Sequence, residues 1–163
     1  MSIDIGSAAS RIYEGLQVDF QSVCFDTSKE LAPLVESEIE LMVLATFKVC
    51  SRISTLKIQI GEEFEAGEDR FQLLITPQFK WNGYRIDFCV RTRRHPDKMV
   101  FVECDGHDFH ERTKEQAERD RSKDRAIQAA GIPILRFTGR EIWRDHPVTV
   151  CCEIFEFVAE VDR

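Results

Sequence analysis

The chain has 163 residues, 43% hydrophobic and 31% charged, which supplies the apolar material for one packed domain and excludes a disordered or fibrous protein. A formal net charge of −7 argues against a general polyanion binder. No run approaches the roughly 20 apolar residues needed to span a bilayer, and the first residues lack the basic region and apolar run of a secretory signal, so a cytoplasmic location without membrane partners is expected.

The charge is uneven. Residues 1–70 carry 6 Lys/Arg against 13 Asp/Glu, whereas residues 79–144 carry 15 against 11. A basic excess of this kind suits a phosphate-contacting face, and an ordinary solvated surface accounts for it as well. The six cysteines form no Cys-x-x-Cys pair and read as reduced, buried thiols.

In chain order, residues 1–35 read as an N-terminal extension, with a short helix from Arg11 to Val18 and another starting near Asp26. The domain proper spans residues 36–163. Ser37 with Glu40 has the form of a capping box, and the apolar residues from Ile39 to Phe47 predict a largely buried helix to about Arg52. Gly61 to Asp69 reads as a loop. Phe71–Ile75 and Pro77–Trp81 are β-type runs, and Asn82-Gly83 predicts a tight hairpin into Tyr84–Val90, because a type I′ turn needs two residues at positive φ. Trp81 beside that turn reads as packing rather than base stacking. A basic loop, Arg91–Lys98, leads to a third strand, Met99–Asp105.

Thr113 with Gln116 caps a helix to about Ala130, and Gly131 is placed to stop it. Ile132–Phe137 is a further strand, with Pro133 marking an edge or a strand start. Asp145 or His146 caps a last helix with Pro147 in its first turn, burying Val148, Cys152, Ile154, Phe155 and Val158. The order helix, hairpin, strand, helix, strand, helix predicts an α/β domain.

Two strands carry acids inside apolar runs: Tyr84-Arg85-Ile86-Asp87-Phe88 and Val102-Glu103-Cys104-Asp105. A buried carboxylate is costly unless something compensates it. Strict alternation sets Tyr84, Ile86, Phe88 and Val90 on one face and Arg85, Asp87 and Cys89 on the other. It sets Glu103 and Asp105 together, with Asp87 in reach if the strands pair. A divalent cation holding the three carboxylates, or ion pairs with arginines, would satisfy them equally.

These segments resemble the PD-(D/E)XK nuclease superfamily, and within it the branch similar to the very-short-patch-repair endonuclease. The resemblance covers about residues 36–160. It rests on Ser37 to Glu40, Pro77-Gln78, Tyr84 to Phe88, Val102 to His107, His110, Arg119-Asp120 to Asp124-Arg125, and Leu135 to Gly139 with Glu141-Ile142. It implies a three-layer restriction-endonuclease-like fold with a mixed sheet of about four main strands, and a metal-dependent endonuclease acting on DNA rather than RNA. Asp87 and Glu103 would be metal-binding carboxylates for Mg²⁺ or Mn²⁺, joined by the Cys104 backbone carbonyl, Asp105 and the first-helix acid Glu40, which can equally be only the capping-box acid.

The superfamily's lysine position holds Asp105 here, and an acceptor cannot do a lysine's work. That role could pass to His107, His110, Lys114 or Lys123, with His110 or His107 the best proton-transfer group. Gln78, Arg119, Lys123 and Arg125 are candidate nucleic-acid contacts. A nucleic-acid-binding module without catalysis and a protein-interaction subunit of a repair or defence system are the competing readings.

Overall fold

Five strands form one mixed sheet in the order β1-β2-β3-β4-β5, in a computed structural model that describes residues 22–53, 56–67, 72–106 and 113–163. The strands are β1 (Ile58–Ile60), β2 (Leu73–Trp81), β3 (Tyr84–Thr92), β4 (Val100–Asp105) and β5 (Ile134–Thr138). Among the described residues five α-helices accompany them, α1 (residues 22–31), α2 (Glu38–Ile53), α3 (Lys114–Ala130), α4 (Gly139–Arg144) and α5 (His146–Val161), with a 3-10 turn at Ala32–Leu34. The proposed helix at Arg11–Val18 lies outside the described residues. Asp26 lies within α1 rather than at its start.

The Asn82-Gly83 hairpin forms as expected, with both residues at positive φ (48° and 79°) and Trp81 paired with Tyr84. β3 and β4 are antiparallel, and α3 carries the chain across to β5, which lies parallel to β4 at the sheet edge. Pro133 just precedes this edge strand, where its missing N–H costs least. α3 starts at the Thr113–Gln116 capping box and ends at Gly131, which takes the left-handed conformation (φ 67°). Two elements escaped the sequence reading. β1 has only three residues and exists through parallel pairing with β2. α4 starts from a second capping box, Thr138 with Glu141.

The layers follow from which faces are apolar. α2 and α5 cover one sheet face, where Val43, Leu44, Phe47, Val150, Cys151 and Ile154 pack on Ile75, Phe88, Val90, Val100 and Val102. α3 covers the other with one fully buried side chain, Ile127, against Ile86, Cys89 and Phe101. Trp81 packs edge-on to Phe101, with ring centroids 5.5 Å apart. In α5 the buried stripe is Val150, Cys151, Ile154 and Val158, and the expected Val148 and Cys152 are exposed. Val148 stands two residues from Val150, about 200° around the helix, and so faces solvent. No helix among the described residues is long and apolar enough to cross a membrane.

The alternation expected for β3 does not hold along its length. Phe88 and Val90 pack toward α2 and α5, but Ile86 packs with Cys89 toward α3. β2 changes at the same level: Leu73 and Ile75 face α2 and α5, whereas Phe79 and Trp81 pack on the α3 side. The change falls where Gln78 stands opposite Asp87, between the paired rungs Pro77–Phe88 and Phe79–Ile86. Gln78 has a φ of 50°, and this left-handed residue inside β2 reverses the order of faces.

The switch predicts an unusual coupling. Ile86→Ala should cost about 2–5 kcal/mol in urea unfolding. In double-mutant cycles it should couple with Ile127→Ala by roughly 0.5–3 kcal/mol and add independently with Val43→Ala. Coupling to Val43 and not to Ile127 would restore strict alternation.

Candidate active site

The β3–β4 ladder runs from Val90–Val100 to Phe88–Val102 and stops there. The next residue of β3 is Asp87, and its Oδ2 accepts the Cys104 N–H at 2.8 Å. The side chain thereby occupies the place of a backbone rung and satisfies a donor that the ending ladder leaves over. On β4, Cys104 sends its thiol into the main core, as the sequence suggested, and burial pushes that thiol up in pKa.

Glu103 follows the opposite face and is buried. Its register partner on β5 is Arg136, whose Nε lies 3.9 Å from Glu103 Oε2 and whose guanidinium also pairs with Asp124. From α3, Lys123 Nζ donates to Glu103 Oε1 at 2.6 Å and lies 3.4 Å from the Arg85 carbonyl. Both members of the Lys123–Glu103 pair are largely shielded, with 16% and 8% of their side chains exposed.

Glu40 enters from the first turn of α2. Half of the expected capping box forms, with the Glu40 N–H donating to Ser37 Oγ at 3.3 Å, but the Glu40 carboxylate takes the Glu36 N–H in place of the Ser37 N–H and also borders the site. Ser37 Oγ donates to its Oε1 at 2.7 Å, and the Glu36 N–H and Gln78 Nε2 donate to its Oε2 at 3.1 and 2.6 Å. Glu40, Asp87, Glu103, Asp105, Lys123 and Arg136 line one pocket of about 410 Å³. Burial pushes the Asp87 carboxyl up to about 7, and the negative charges of Glu40 and Glu103 add to that, against the Cys104 N–H and Lys123. Glu103 is raised by burial too, although Lys123 and Arg136 oppose it.

The proposed carboxylates thus share a pocket with Lys123, the one alternative lysine that reaches it. Lys114 is exposed at the start of α3, and Arg119 and Arg125 are exposed and do not border the pocket. His107 and His110 lie outside the described residues. The pocket also holds Asp120, Asp124 and Arg136, which the sequence reading did not assign to the site. A signal for the first two existed. Asp120, Lys123, Asp124 and Ile127 follow i, i+3, i+4, i+7, one helix face whose last member is in the core. Arg136 gave no signal short of knowing that β5 lies beside β4.

The oxygen-rich lining suits a hard cation. Among the described residues no group of three His, Cys, Asp or Glu side chains converges into a ready-made cage. Glu103 leans on Lys123, and Asp87 on a backbone N–H. Mg²⁺ does not need such a cage, because it keeps several waters and binds through one or two carboxylates plus substrate phosphate. Asp87 and Glu103, lining one pocket with the adjacent strand residue Cys104, fit that mode.

Two outcomes follow for the metal-free protein. The folded pKa of Asp87 lies above its unfolded value, so its contribution to stability is complete below about pH 4 and is lost as the pH rises through about 7. Urea unfolding should show stability falling over that window by at most about 1.4 kcal/mol per pH unit from this group, and Asp87→Asn should flatten the fall. Lys123→Met should lower stability by about 3 kcal/mol at neutral pH, because it strands a buried carboxylate, and adding Glu103→Gln should recover most of the loss.

Comparison with known proteins adds one finding. The family model REase_MTES_1575 matches residues 65–156, a span that includes Asp87, Glu103 to Asp105, Lys123 and Arg136 and leaves Glu40 outside. No curated protein and no solved structure matches the chain. The match takes in more than half of the sequence, and it agrees with the three-layer fold and its five-stranded mixed sheet. The chain therefore belongs to the restriction-endonuclease-like REase_MTES_1575 family.

Proposed function

We propose that the protein is a divalent-metal-dependent endonuclease that hydrolyses phosphodiester bonds in DNA. The observation that carries this reading is the gathering of two strand carboxylates, half-buried Asp87 and buried Glu103, with an ammonium from α3 in one pocket. A purely structural ion pair would need only one of those acids. Asp87, Glu103 and the Cys104 carbonyl would hold Mg²⁺ or Mn²⁺, with Asp105 and Glu40 as neighbouring acids. The chemistry such an ion would supply there is polarisation of a phosphate oxygen and a lowered pKa of bound water.

Lys123 fits the role that Asp105 cannot fill. Its Nζ already points at Glu103, and from that position its charge can offset negative charge building on the phosphate and orient the attacking water. Arg136 is more exposed than Lys123, and its fork suits a phosphate oxygen. His107 and His110 remain the proposed proton-transfer groups on the strength of their sequence position. The basic excess over residues 79–144 supports a phosphate backbone as substrate. The narrower likeness to the very-short-patch-repair branch, and a part in DNA repair or defence, rest on the quoted sequence segments alone.

The test uses plasmid DNA, single-stranded DNA and RNA with Mg²⁺ or Mn²⁺. Cleavage of DNA should be abolished by EDTA and fall at least about 100-fold in Asp87→Ala, Glu103→Ala and Lys123→Ala. Cleavage that persists in both carboxylate variants would sink the site. Salt-sensitive DNA binding by the wild type with no cleavage under any metal would make the protein a binding module instead.

A further inference from the structure

Gln78 carries two separate costs. It is a non-glycine residue at φ 50° in the interior of a nine-residue strand, a conformation that side chains other than glycine, asparagine and aspartate rarely adopt. Its Oε1 is buried without a hydrogen-bond partner among the described residues, which is unfavourable in its own right. Glycine at this position would remove both. Backbone strain and an orphaned polar atom at one residue point to a function that outweighs them.

The contacts identify that function. On strict alternation from Ile75, Gln78 would face α3. The left-handed turn sends its amide the other way, to Glu40 on α2, where Nε2 donates to Oε2 at 2.6 Å. The start of α2 does not need this bond, because the Ser37 hydroxyl and the Glu36 N–H already engage the same carboxylate. Its effect is to fix Glu40 at the wall of the pocket that Asp87 and Glu103 line. The orphaned oxygen follows from the same bond, since turning the amide over would set Oε1 against a carboxylate. With one N–H of the amide engaged on Glu40 and its oxygen buried, the side chain is committed to Glu40 in this structure.

We infer that Gln78 is a positioning residue that acts through Glu40, its strained backbone serving to hold that carboxylate toward the metal-binding pair. This inference rests on the nuclease reading for its effect on cleavage, but not for its effect on metal affinity or folding.

The test is a double-mutant cycle of Gln78→Gly, Glu40→Gln and both together in the full chain. It is read by kcat and KM for DNA cleavage, by Mn²⁺ affinity from calorimetry, and by Tm without metal. Gln78→Gly should melt within a few degrees of wild type or above it. It should lower kcat and weaken Mn²⁺ binding by about 10–100-fold, the range for residues that orient a metal ligand, with KM for DNA unchanged. Added to Glu40→Gln, it should cost nothing further.

Additive losses would overturn the inference. So would a rise in KM at constant kcat, the mark of direct DNA contact, or a clear drop in Tm with Mn²⁺ affinity intact. If the wild type binds Mn²⁺ but cleaves nothing, the nuclease reading fails while the affinity cycle still decides the role of Gln78. A wild type that neither cleaves nor binds overturns both.

Discussion

The site depends on one hydrogen bond, from the Cys104 N–H to the Asp87 carboxylate at the point where the β3–β4 ladder ends. Had the ladder continued, Asp87 would have met Glu103 as an ordinary cross-strand pair, two like charges on one sheet face. Instead the strands part, the carboxylate takes over a backbone donor, and a polar pocket opens at the end of the sheet. The face switch in β2 and β3 belongs to the same event. Above it, both strands send apolar side chains to α2 and α5. Below it, they send them to α3. Gln78 and Asp87 stand at the crossing, so a strand from the core and a helix cap from the neighbouring layer meet at one spot.

The electrostatics divide the pocket into two sides. On one, Glu103 is embraced by Lys123 from α3 and Arg136 from β5. On the other, burial pushes Asp87 up to about 7 and the like charges of Glu40 and Glu103 add to that, against the Cys104 N–H and Lys123. Protonating one carboxylate or bringing in a cation relieves the second side, and the two remedies compete. Asp105 adds a further acid to the pocket, and α3 delivers an ammonium to Glu103 from another direction. A helix that buries only Ile127 against the sheet is free to use the turn before it for polar residues.

Much of the fold was legible because its signals are local. The Asn82-Gly83 turn, the Thr113–Gln116 box, the Gly131 stop and the edge position implied by Pro133 each depend on a few adjacent residues, and each formed. β1 was not legible because three residues carry no periodicity and owe their strand to β2. The phase of α5 was misjudged because Val148 and Val150 are equally apolar, and only the packing on α2 and the sheet chooses between them. The switch of faces was hidden because Gln78 is not a residue whose type announces a positive φ.

By itself, the sequence determined the α/β class, the order of most elements, and the two strands that carry acids, because periodicity, caps and turns are properties of neighbouring residues. It also singled out Asp87, Glu103 and Lys123, though not their arrangement. Only the tertiary structure decided that Lys123 rather than Lys114 meets Glu103, that Arg136 stands beside it, and that Gln78 reaches Glu40 across 38 positions. Those pairings are set by which layers pack together and by where a ladder ends. The free energies that decide them come from burial and from partners far apart in the chain, which no local pattern encodes.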